Sequence, residues 1–575
     1  MAEPSSQSSQ HQERERFFGA AKLIAAITLL SRCAGLLRDL VQAWLFGAFR
    51  FTDAFNLAFA IPNLFRRLFG EGALSAAFVP VFTDILELHG RQKAAALLAN
   101  VLGLLGLLLC GLCLVIELGL LAFLFATPEQ GADNISRRLL LGYTGIMLPF
   151  MITICLLAVG SAALNCVGHF AYPAAAPIVL NLGIIIANVW LARYWQNQNI
   201  QLGIVAASVV VSGVLQLVLL IWVLKAHNLP FIPKLRPIQP GVRKMLTLML
   251  PMLLPLGLLQ FNSLFDGLLA WLLTATKENP TLTILGVTLY KPLQEGVVTV
   301  IGNAQRIYQF PLGVLVTALG TAVFPLFSRY AARGETDNLR DSINRALRLA
   351  MFEGLPSGVG MILLAGPLTA LLFAWKNFTP ENAASVAHVV TFYGLGVWAF
   401  CCQQILLRAF YAQKDTRTPL KVACWLVGVN FLLNLGLIWI PSIRQGAFGL
   451  STSITGTINV VILAIILRRR LGRMGLRSLL TSVARIAIAT LAMGLAVWFS
   501  QDPLAHLAGG GKLWPNLARV FGGIGAGMLA FFLVCILLRA PELRELLGRS
   551  RKTPLAVAAP AGEESTNKEK AGNRN

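Results

Sequence analysis

Long apolar runs, separated by short polar stretches, occupy most of the chain. A helix needs about 20 mostly apolar residues to cross the hydrocarbon core of a bilayer. The pattern therefore predicts an all-α polytopic membrane protein. Its fourteen predicted transmembrane helices, numbered 1 to 14 in chain order, lie at 20–49, 53–82, 94–126, 138–166, 173–193, 202–225, 245–273, 296–328, 342–373, 385–411, 419–440, 446–467, 479–500 and 516–539.

The polar stretches alternate in their content of Lys and Arg. Stretches 127–136 and 194–201 contain neither residue, whereas alternate stretches are rich in them, such as the one that begins with Arg468, Arg469 and Arg470. In membrane proteins the cytoplasmic loops carry the excess of Lys and Arg. We therefore expect both termini to be cytoplasmic, which agrees with an even number of helices.

Two short sequences recur six predicted helices apart. AFVPVF at 77–82 ends helix 2, and AVFPLF at 322–327 ends helix 8. Because six is even, the halves would form a parallel pseudo-repeat of two six-helix lobes, followed by two extra C-terminal helices. The predicted parts are a disordered cytoplasmic tail at 1–16, an N-lobe at 17–226, a C-lobe at 227–470, helices 13 and 14 at 471–540 and a cytoplasmic tail at 541–575.

Composition excludes several classes of protein. Of the 575 residues, 56% are apolar and 13% charged, which is typical of a membrane protein rather than a soluble enzyme. The net charge of +22 lies in the loops, where topology explains it, so no nucleic acid partner is expected. The nine cysteines fall almost entirely within apolar runs and the six histidines are scattered. We therefore expect no metal site, no cofactor and no catalytic residues.

Four arginines lie within the first two predicted helices, Arg32 and Arg38 in helix 1 and Arg66 and Arg67 in helix 2. A charged side chain at the centre of a membrane-spanning helix costs roughly 2.5–3.5 kcal/mol. Such residues normally face the interior of a helix bundle or a wet cavity and mark the path of a substrate. Snorkelling of Arg66 and Arg67 to a cytoplasmic surface is the alternative interpretation.

The neighbouring polar residues favour the cavity. Helix 1 carries one polar face and helix 2 another, since their polar and small residues recur at helical spacing. Five arginines and three acidic residues in this set leave a net charge of +2, and guanidinium groups suit phosphate oxygens. The candidate substrate-binding residues for an anionic, membrane-derived ligand are Arg32, Arg38, Asp39, Asp53, Asn63, Arg66, Arg67, Glu71 and Arg306.

A second polar group lies in helices 7 and 11. Asp266, Asn430 and Asn434 are a candidate site for a small cation such as Na⁺, because carboxylate and amide oxygens can hold it. Hydrogen bonding between helices is the alternative role for these residues. Residues 274–295 form a longer outward loop, predicted to include a short interfacial helix, whose role as a gate or a mere insertion stays open.

Several motifs together resemble the MurJ/MviN lipid II flippase family. They are SRCAGLLRD at 31–39, FGA at 46–48, TDAF at 52–55, IPNLFRR at 61–67, EGA at 71–73, AAFVP at 76–80, FPLGV at 310–314, LGT at 319–321 and KDTRTP at 414–419. The resemblance covers about residues 20–540, and the motif in helices 1 and 2 is long and specific.

The resemblance implies a member of the multidrug/oligosaccharidyl-lipid/polysaccharide exporter superfamily in the bacterial inner membrane. It implies transport of lipid II, an undecaprenyl-pyrophosphate-linked peptidoglycan precursor, from the inner to the outer leaflet by alternating access. The family's functional arginines correspond to Arg32, Arg38, Arg66 and Arg306, with Asp39 and Asp53 as acidic partners. The expected partners are lipid II, membrane lipids and cell-wall synthesis proteins. Coupling to Na⁺ or to the membrane potential stays open.

Other functions are weaker alternatives. A flippase for another polyprenyl-linked glycan would share the fold and much of the chemistry. A multidrug/cation antiporter would need an acidic cavity rather than one lined by arginines. A membrane glycosyltransferase would need a large outward loop with catalytic groups, and loop 274–295 offers only Glu278 and Glu295. A scaffold protein would not need buried arginines.

Overall fold

The computed structural model describes residues 6–68, 73–127, 132–229, 233–234, 239–284, 286–472 and 475–546. The first half contains α1 (Ser6–Phe46), α2 (Arg50–Phe65), α3 (Ala73–Ala126), α4 (Ala132–Met147), α5 (Phe150–Cys166), α6 (Ala171–Ile186) and α7 (Gln198–Ala226). The second half contains α8 (Pro240–Leu272), α9 (Val297–Ala332), α10 (Thr336–Phe373), α11 (Pro380–Gly394), α12 (Val397–Ala412), α13 (Arg417–Leu437) and α14 (Ala447–Leu471). The C-terminal part contains α15 (Leu476–Leu507), α16 (Leu513–Leu517), α17 (Gly523–Leu537) and α18 (Pro541–Leu546).

Every predicted transmembrane segment coincides with one helix or with a broken pair. Helices 2 and 3 are separated at Gly90, whose φ of 80° interrupts the long α3. Helix 4 is divided into α4 and α5 before Pro149, and helix 10 into α11 and α12 with a 47° bend. These two breaks occupy equivalent places in the two halves, as the internal repeat predicts.

Many of the helices are long and apolar enough to span a membrane. In the described part of the chain, nine helical segments are long and apolar enough to cross a membrane, or ten when the bent pair counts as one. The predicted spans outside this set are helices 1, 2, 7 and 8. These four helices contribute the candidate residues Arg32, Arg38, Arg66, Arg67, Asp266 and Arg306.

The same helix pairs are in contact in both halves. In the first half α1 packs on α6, α2 on α4, α5 on α7 and α6 on α7. In the second half the equivalent pairs, six predicted helices later, are α8 with α13, α9 with α11, α12 with α14 and α13 with α14. This recurrence of neighbours supports the pseudo-repeat. The residue boundaries of the lobes stay predictions.

Three buried apolar clusters hold the molecule together. The first lies mainly in α2 to α8, the second mainly in α9 to α14, and a smaller third joins α10 to α15 and α17. Leu40 and Ala43 of α1 belong to the second cluster, whereas Ala447 and Phe448 of α14 belong to the first. Each half therefore contributes buried side chains to the core of the other.

The loop at 274–295 differs from the prediction. It contains an antiparallel hairpin of β1 (Thr281–Ile284) and β2 (Val287–Tyr290), with Thr283 opposite Thr288, and the predicted interfacial helix is wrong. β-Branched residues favour extended backbone, and Gly286, with a φ of 82°, adopts a left-handed conformation at little cost.

Helical structure extends into both predicted tails. Helix α1 begins at Ser6, inside the stretch expected to be disordered, because residues 6–18 contain neither proline nor glycine to stop the helix. At the other end α18 lies against α10, where Arg345 Nε is 2.7 Å from Glu545 Oε2. Residues 1–5 and 547–575 lie outside the described residues.

Candidate functional site

A cavity of about 810 Å³ lies between the two halves. It is lined by parts of α2, α5, α6, α8 and α9, with contributions from α1 and α11. Among the described residues, its charged lining consists of four arginines and one aspartate, and amide side chains supply much of the remaining polar surface. The charged residues are Arg38, Arg66, Arg67, Asp266 and Arg306.

One buried carboxylate holds two of these arginines. Asp39 Oδ1 is 2.8 Å from Arg38 Nε and 2.7 Å from Arg38 Nη2, and Asp39 Oδ2 is 2.8 Å from Arg306 Nη1. The Asp39 side chain is only 8% exposed, whereas that of Arg306 is 36% exposed. Two guanidinium groups share one carboxylate, so this bridge between α1 and α9 keeps a net positive charge beside the cavity.

A chain of hydrogen bonds lies beside this bridge and reaches the beginning of α9. Gln42 Nε2 donates to Asn56 Oδ1 at 3.4 Å, and Asn56 Nδ2 donates to Thr299 Oγ1 at 2.9 Å. Asp53 Oδ1 accepts hydrogen bonds from Thr299 N and Thr299 Oγ1, both at 2.8 Å. The carboxylate of Asp53 therefore caps the N-terminus of α9, where negative charge is favoured.

Asp53 was predicted to bind the substrate, but it does not line the cavity. Its side chain is fully buried and is not part of the cavity lining. The sequence predicts correctly that Asp53 lies at the start of α2. Only the tertiary structure shows that α9 packs beside it and that Asp53 Oδ1 accepts a hydrogen bond from Thr299 N. The structure thus gives Asp53 a contact between the halves rather than one with the cavity.

The helical residues 66–68, which continue α2, supply the arginines at the other side of the cavity. Arg66 Nε donates to Asn63 Oδ1 at 3.3 Å, and Asn63 Nδ2 donates to the carbonyl oxygen of Phe59 at 3.2 Å. Arg67 is exposed, and its Nη1 donates to Gln260 Oε1 of α8 at 3.4 Å. The predicted residues Asn63, Arg66 and Arg67 therefore all line the cavity. Glu71 lies outside the described residues.

Arg32 lies away from the cavity, in contrast to the prediction. It is exposed, and its guanidinium lies so close to Gly313 of α9 that a methyl group there would overlap it. Six residues separate Arg32 from Arg38, which rotates their side chains by about 240° around α1. The two arginines therefore face different neighbours, although both are in one helix.

The candidate cation residues do come together. Asn434 Nδ2 donates to Asp266 Oδ1 at 2.8 Å and to Asn430 Oδ1 at 3.2 Å, and Ser451 donates to Asn434 Oδ1. Asp266 is 4% exposed and Asn434 is fully buried. The cluster joins α8, α13 and α14, with one carboxyl group. In the described ranges, no three His, Cys, Asp or Glu side chains are grouped to hold a metal ion.

Several lining residues are missing from the sequence-based set. Tyr393 of α11 stacks on Tyr308 with ring centroids 4.3 Å apart, and Gln305 Nε2 donates to its hydroxyl at 3.3 Å. Asn181 of α6 donates from Nδ2 to the carbonyl oxygen of Ser31 at 3.4 Å. Asn181 could have been predicted from the sequence, because it is a polar residue inside an otherwise apolar helix. Tyr393 carries no such signal, because tyrosine occurs both in cores and at surfaces.

The halves are tied together at the end of the bundle where α1 ends and α2 begins, here termed the closed end. Trp44 Nε1 donates to the carbonyl oxygen of Leu372 at 2.8 Å, and Asn377 Nδ2 donates to that of Leu45 at 2.6 Å. Arg50 Nη1 donates to the carbonyl oxygen of Trp271 at 3.0 Å, and the Arg50 guanidinium lies 3.5 Å from the centroid of the Trp271 ring. The cavity lies on the other side of these contacts.

Comparison with known proteins agrees with this architecture. The chain is 30% identical over 518 residues to the probable lipid II flippase MurJ of Rhizobium meliloti (strain 1021), covering 89% of this chain and 92% of that protein. It is 31% identical over 458 residues to the lipid II flippase MurJ of Burkholderia cenocepacia, covering 79% of this chain and 84% of that protein.

The fold is also similar to solved structures. A lipid II flippase MurJ in an inward closed conformation matches with a TM-score of 0.71 at 21% identity, covering 90% of this chain and 99% of that one. An inward-facing multidrug resistance MATE family transporter matches with a TM-score of 0.61 at 14% identity, covering 78% and 98%. The family model described as lipid II flippase MurJ matches residues 42–540. The chain therefore belongs to the lipid II flippase MurJ family.

Proposed function

We propose that this chain moves lipid II from the inner to the outer leaflet of the bacterial plasma membrane by alternating access. The Arg38–Asp39–Arg306 bridge carries the proposal, because it places two guanidinium groups around a single carboxylate at a cavity between the halves. A pyrophosphate can accept hydrogen bonds from the donors that Asp39 leaves free.

The substrate explains the need for such a cavity. Lipid II has a polar sugar-peptide head, a pyrophosphate and a long polyprenyl tail. The head cannot cross about 30 Å of hydrocarbon without losing its hydrogen bonds to water. A cavity lined by arginines and amides replaces those hydrogen bonds, while the tail stays in the lipid. No covalent bond changes, so the chain acts as a transporter rather than an enzyme.

Alternating access requires that the closed end open and the opposite end close. The distribution of Lys and Arg favours an orientation with the closed end at the outer face and both termini in the cytoplasm. The cavity with Arg66 and Arg67 then receives the substrate from the inner leaflet. Opening outward breaks contacts between the halves, among them the ion pair of Asp39 with Arg306 and the hydrogen bond of Asn377 with Leu45.

A driving force acts either on the arginines or on the cation cluster. The membrane potential is worth about 2.3 kcal/mol per elementary charge per 100 mV, so it can bias a cavity rich in arginine. The oxygens of Asp266, Asn430 and Asn434 are hard ligands that suit Na⁺. Transport that requires Na⁺ in the wild type and is independent of Na⁺ in Asp266→Asn would support the second route, whereas transport unchanged without Na⁺ in both would exclude it.

Partners beyond the substrate follow from its chemistry. Lipid II is made on the cytoplasmic face and polymerised outside. The proteins that make or use it are therefore the proposed partners in the same membrane.

The test uses cells depleted of their own lipid II flippase and expressing this chain. The measured quantity is the fraction of lipid II that becomes accessible to an enzyme added outside the membrane. Wild type should restore accessibility and Arg38→Ala should abolish it. Arg193→Ala should behave as wild type, since Arg193 lies beside Trp190 and Tyr194, beyond the end of α6. Full activity of Arg38→Ala would refute the cavity mechanism. No restoration by a well-expressed wild type would indicate another polyprenyl-linked glycan.

A further inference from the structure

Two glutamates lie inside apolar helices and away from the central cavity. Glu117 is in α3 and Glu353 is in α10, the equivalent helix of the second half. Each lies roughly 15 Å from the nearer end of its predicted transmembrane helix. Neither belongs to the lining of the cavity. Ionisable side chains at such a depth are rare and costly, and they normally have a function.

Neither glutamate has an ion-pair partner among the described residues. Arg348, the nearest arginine to Glu353 in the sequence, pairs with Glu542 and Glu545 instead. Glu353 Oε2 is buried and accepts no hydrogen bond within the described ranges. A purely structural glutamate would be hydrogen-bonded to a neighbouring helix. A carboxyl in such surroundings is neutralised most simply by a proton.

Glu353 lies beside the bend between α11 and α12. A methyl group on the adjacent Gly354 would lie 2.8 Å from Trp398 Cα and 3.1 Å from Cys401 Sγ. Both residues are in the first two turns of α12, which begins at Val397. The N-terminus of a helix carries partial positive charge. An ionised Glu353 therefore attracts the beginning of α12, and a protonated one does not.

Glu117 lies beside the equivalent break in the first half. Its Oε2 is 3.1 Å from the position that a methyl group on Gly145 would occupy. Gly145 is in the last turn of α4, which ends at Met147, just before the break at Pro149. The C-terminus of a helix carries partial negative charge and free carbonyl oxygens. An ionised Glu117 is therefore repelled by the end of α4, whereas a protonated one can donate a hydrogen bond to it.

The other titratable groups beside these carboxyls are thiols. The Cys401 thiol faces Glu353 from α12, and Cys113 lies one turn from Glu117 in α3. Within the described ranges, no charged side chain on the helices packed against α10 or α3 acts on either glutamate. The charge at each break therefore depends on whether the glutamate itself carries a proton.

We propose that Glu117 and Glu353 are proton-binding sites that control the two helix breaks. Uptake of a proton from water converts each carboxylate into a carboxyl group, and release of the proton reverses the change. At the α11–α12 bend the proton removes an attraction to the beginning of α12. At the α4–α5 break it removes a repulsion from the end of α4. Both bends therefore change with pH, without any lipid substrate.

The test measures distances between two spin labels across each break, in the purified full-length protein in nanodiscs. The nine native cysteines are replaced. One pair of labels is on Ala384 of α11 and Tyr411 of α12, and the other is on Ile135 of α4 and Asn165 of α5, all of them exposed positions. Distances are recorded from about pH 4 to about pH 9, which includes the ordinary titration range of carboxyls.

Both distances should shift with pH when the glutamates are present. Glu353→Gln should hold the α11–α12 distance at its low-pH value and leave the α4–α5 shift intact. Glu117→Gln should have the reverse effect, so each variant is a control for the other. Glu353→Asp, which keeps a titratable group, should retain a shift across the α11–α12 bend.

Asp337→Asn is the matched control in α10, because the side chain of Asp337 is 81% exposed. It should leave both shifts unchanged. Persistence of the α11–α12 shift in Glu353→Gln would overturn the site at Glu353, and persistence of the α4–α5 shift in Glu117→Gln would overturn the other. Infrared spectra provide a measurement that does not depend on folding of a variant. In the protein that retains both glutamates, the band of protonated carboxyls should disappear over the same pH range as the distance shifts, and shifts without that band would contradict the proposal.

The proton sites and the proposed function fail through different measurements. If lipid II is not the substrate, export fails for every form of the chain, yet the distances still shift with pH. If the proton sites are wrong, the distances do not depend on the two glutamates, while Arg38→Ala still abolishes export.

Discussion

Asp39 shows how a single residue sets the electrostatics of the cavity. It is the buried acceptor for both Arg38 and Arg306, on helices from different halves. Without it two guanidinium groups would face each other with no carboxylate between them. The residue therefore organises the arginines as well as joining the halves.

We expect Asp39→Asn to lower the free energy of unfolding by up to about 3 kcal/mol and to abolish transport, because removal of one partner leaves buried charge uncompensated. Thermal unfolding in detergent and the external accessibility of lipid II are the measurements. Asp84→Asn is the control, since the pair of Asp84 with Lys244 is largely exposed and worth about 0–1 kcal/mol. Equal destabilisation by the two substitutions would contradict the central role of the Asp39 bridge.

The KDTRTP motif at 414–419 has a structural explanation at the residue scale. Asp415 Oδ1 accepts a hydrogen bond from Thr418 N at 3.0 Å, and Asp415 Oδ2 is 2.7 Å from Arg470 Nη1 of α14. Burial raises the pKa of this carboxyl, but the hydrogen bonds from Thr418 and the pairing with Arg470 outweigh it and lower the pKa from 3.8 to about 2. The motif thus fixes the loop between α12 and α13.

This pKa gives a pH window. A carboxyl whose pKa is lowered by folding stabilises the protein above its unfolded-state pKa, and the effect is lost as pH falls through the folded-state value. The unfolding temperature of wild type should therefore fall more steeply between pH 4 and 2 than that of Asp415→Asn. Asp502→Asn, which removes an exposed carboxyl, should follow wild type. Parallel curves for wild type and Asp415→Asn would refute the contribution.

At the scale of elements, helix breaks and glycines decide how the halves meet. The break between α4 and α5 and the bend between α11 and α12 occur at equivalent places in the repeat. At the closed end the chain between α1 and α2 turns at Gly47, which has a φ of 68° and lies against the carbonyl of Asn377. Only glycine adopts this positive φ without strain and has no Cβ to overlap the carbonyl of Asn377.

Gly47→Ala should destabilise the closed end through backbone strain and through overlap with Asn377. Gly334→Ala is the matched control, because Gly334 has a φ of 70° but nothing within 4 Å, so it reports the strain alone. We expect Gly47→Ala to cost about 1–3 kcal/mol more than Gly334→Ala in thermal unfolding. Equal costs would show that the contact with Asn377 contributes nothing.

Sequence patterns predict these elements unevenly. The apolar runs identify where helices lie, because the membrane requires about 20 apolar residues for each crossing. The β-hairpin at 281–290 was missed because four-residue strands in a polar loop carry a weak signal. The breaks within helices 4 and 10 were missed because both parts stay apolar.

At the scale of the whole molecule, the two halves form a cavity that one set of contacts closes. The second apolar cluster includes residues of α1, and the first includes residues of α14. Any movement of one half relative to the other must therefore keep these side chains packed in the opposite half. The hydrogen-bonded contact of Asn377 with Trp44 and Leu45 lies at the closed end. It is therefore the place to lock the molecule.

A disulfide at this contact should stop transport. In a chain whose nine cysteines are replaced, oxidation of Leu45→Cys with Asn377→Cys should abolish the export of lipid II, and a reductant should restore it. The control pair is Thr283→Cys with Thr288→Cys, which lie opposite each other within the hairpin and do not join the halves. Unimpaired export by the oxidised Leu45–Asn377 pair would refute opening at the closed end.

The sequence by itself determined the helices, the internal repeat, the family and the charged residues of the cavity. Charge inside an apolar run is costly unless the fold compensates for it, so Arg38, Arg66 and Arg306 were visible without a structure. Tertiary structure decided which charges share the cavity. Rotation about α1 directs Arg32 to Gly313, and the approach of α9 buries Asp53. These outcomes depend on the packing of distant helices, which spacing along one helix does not report.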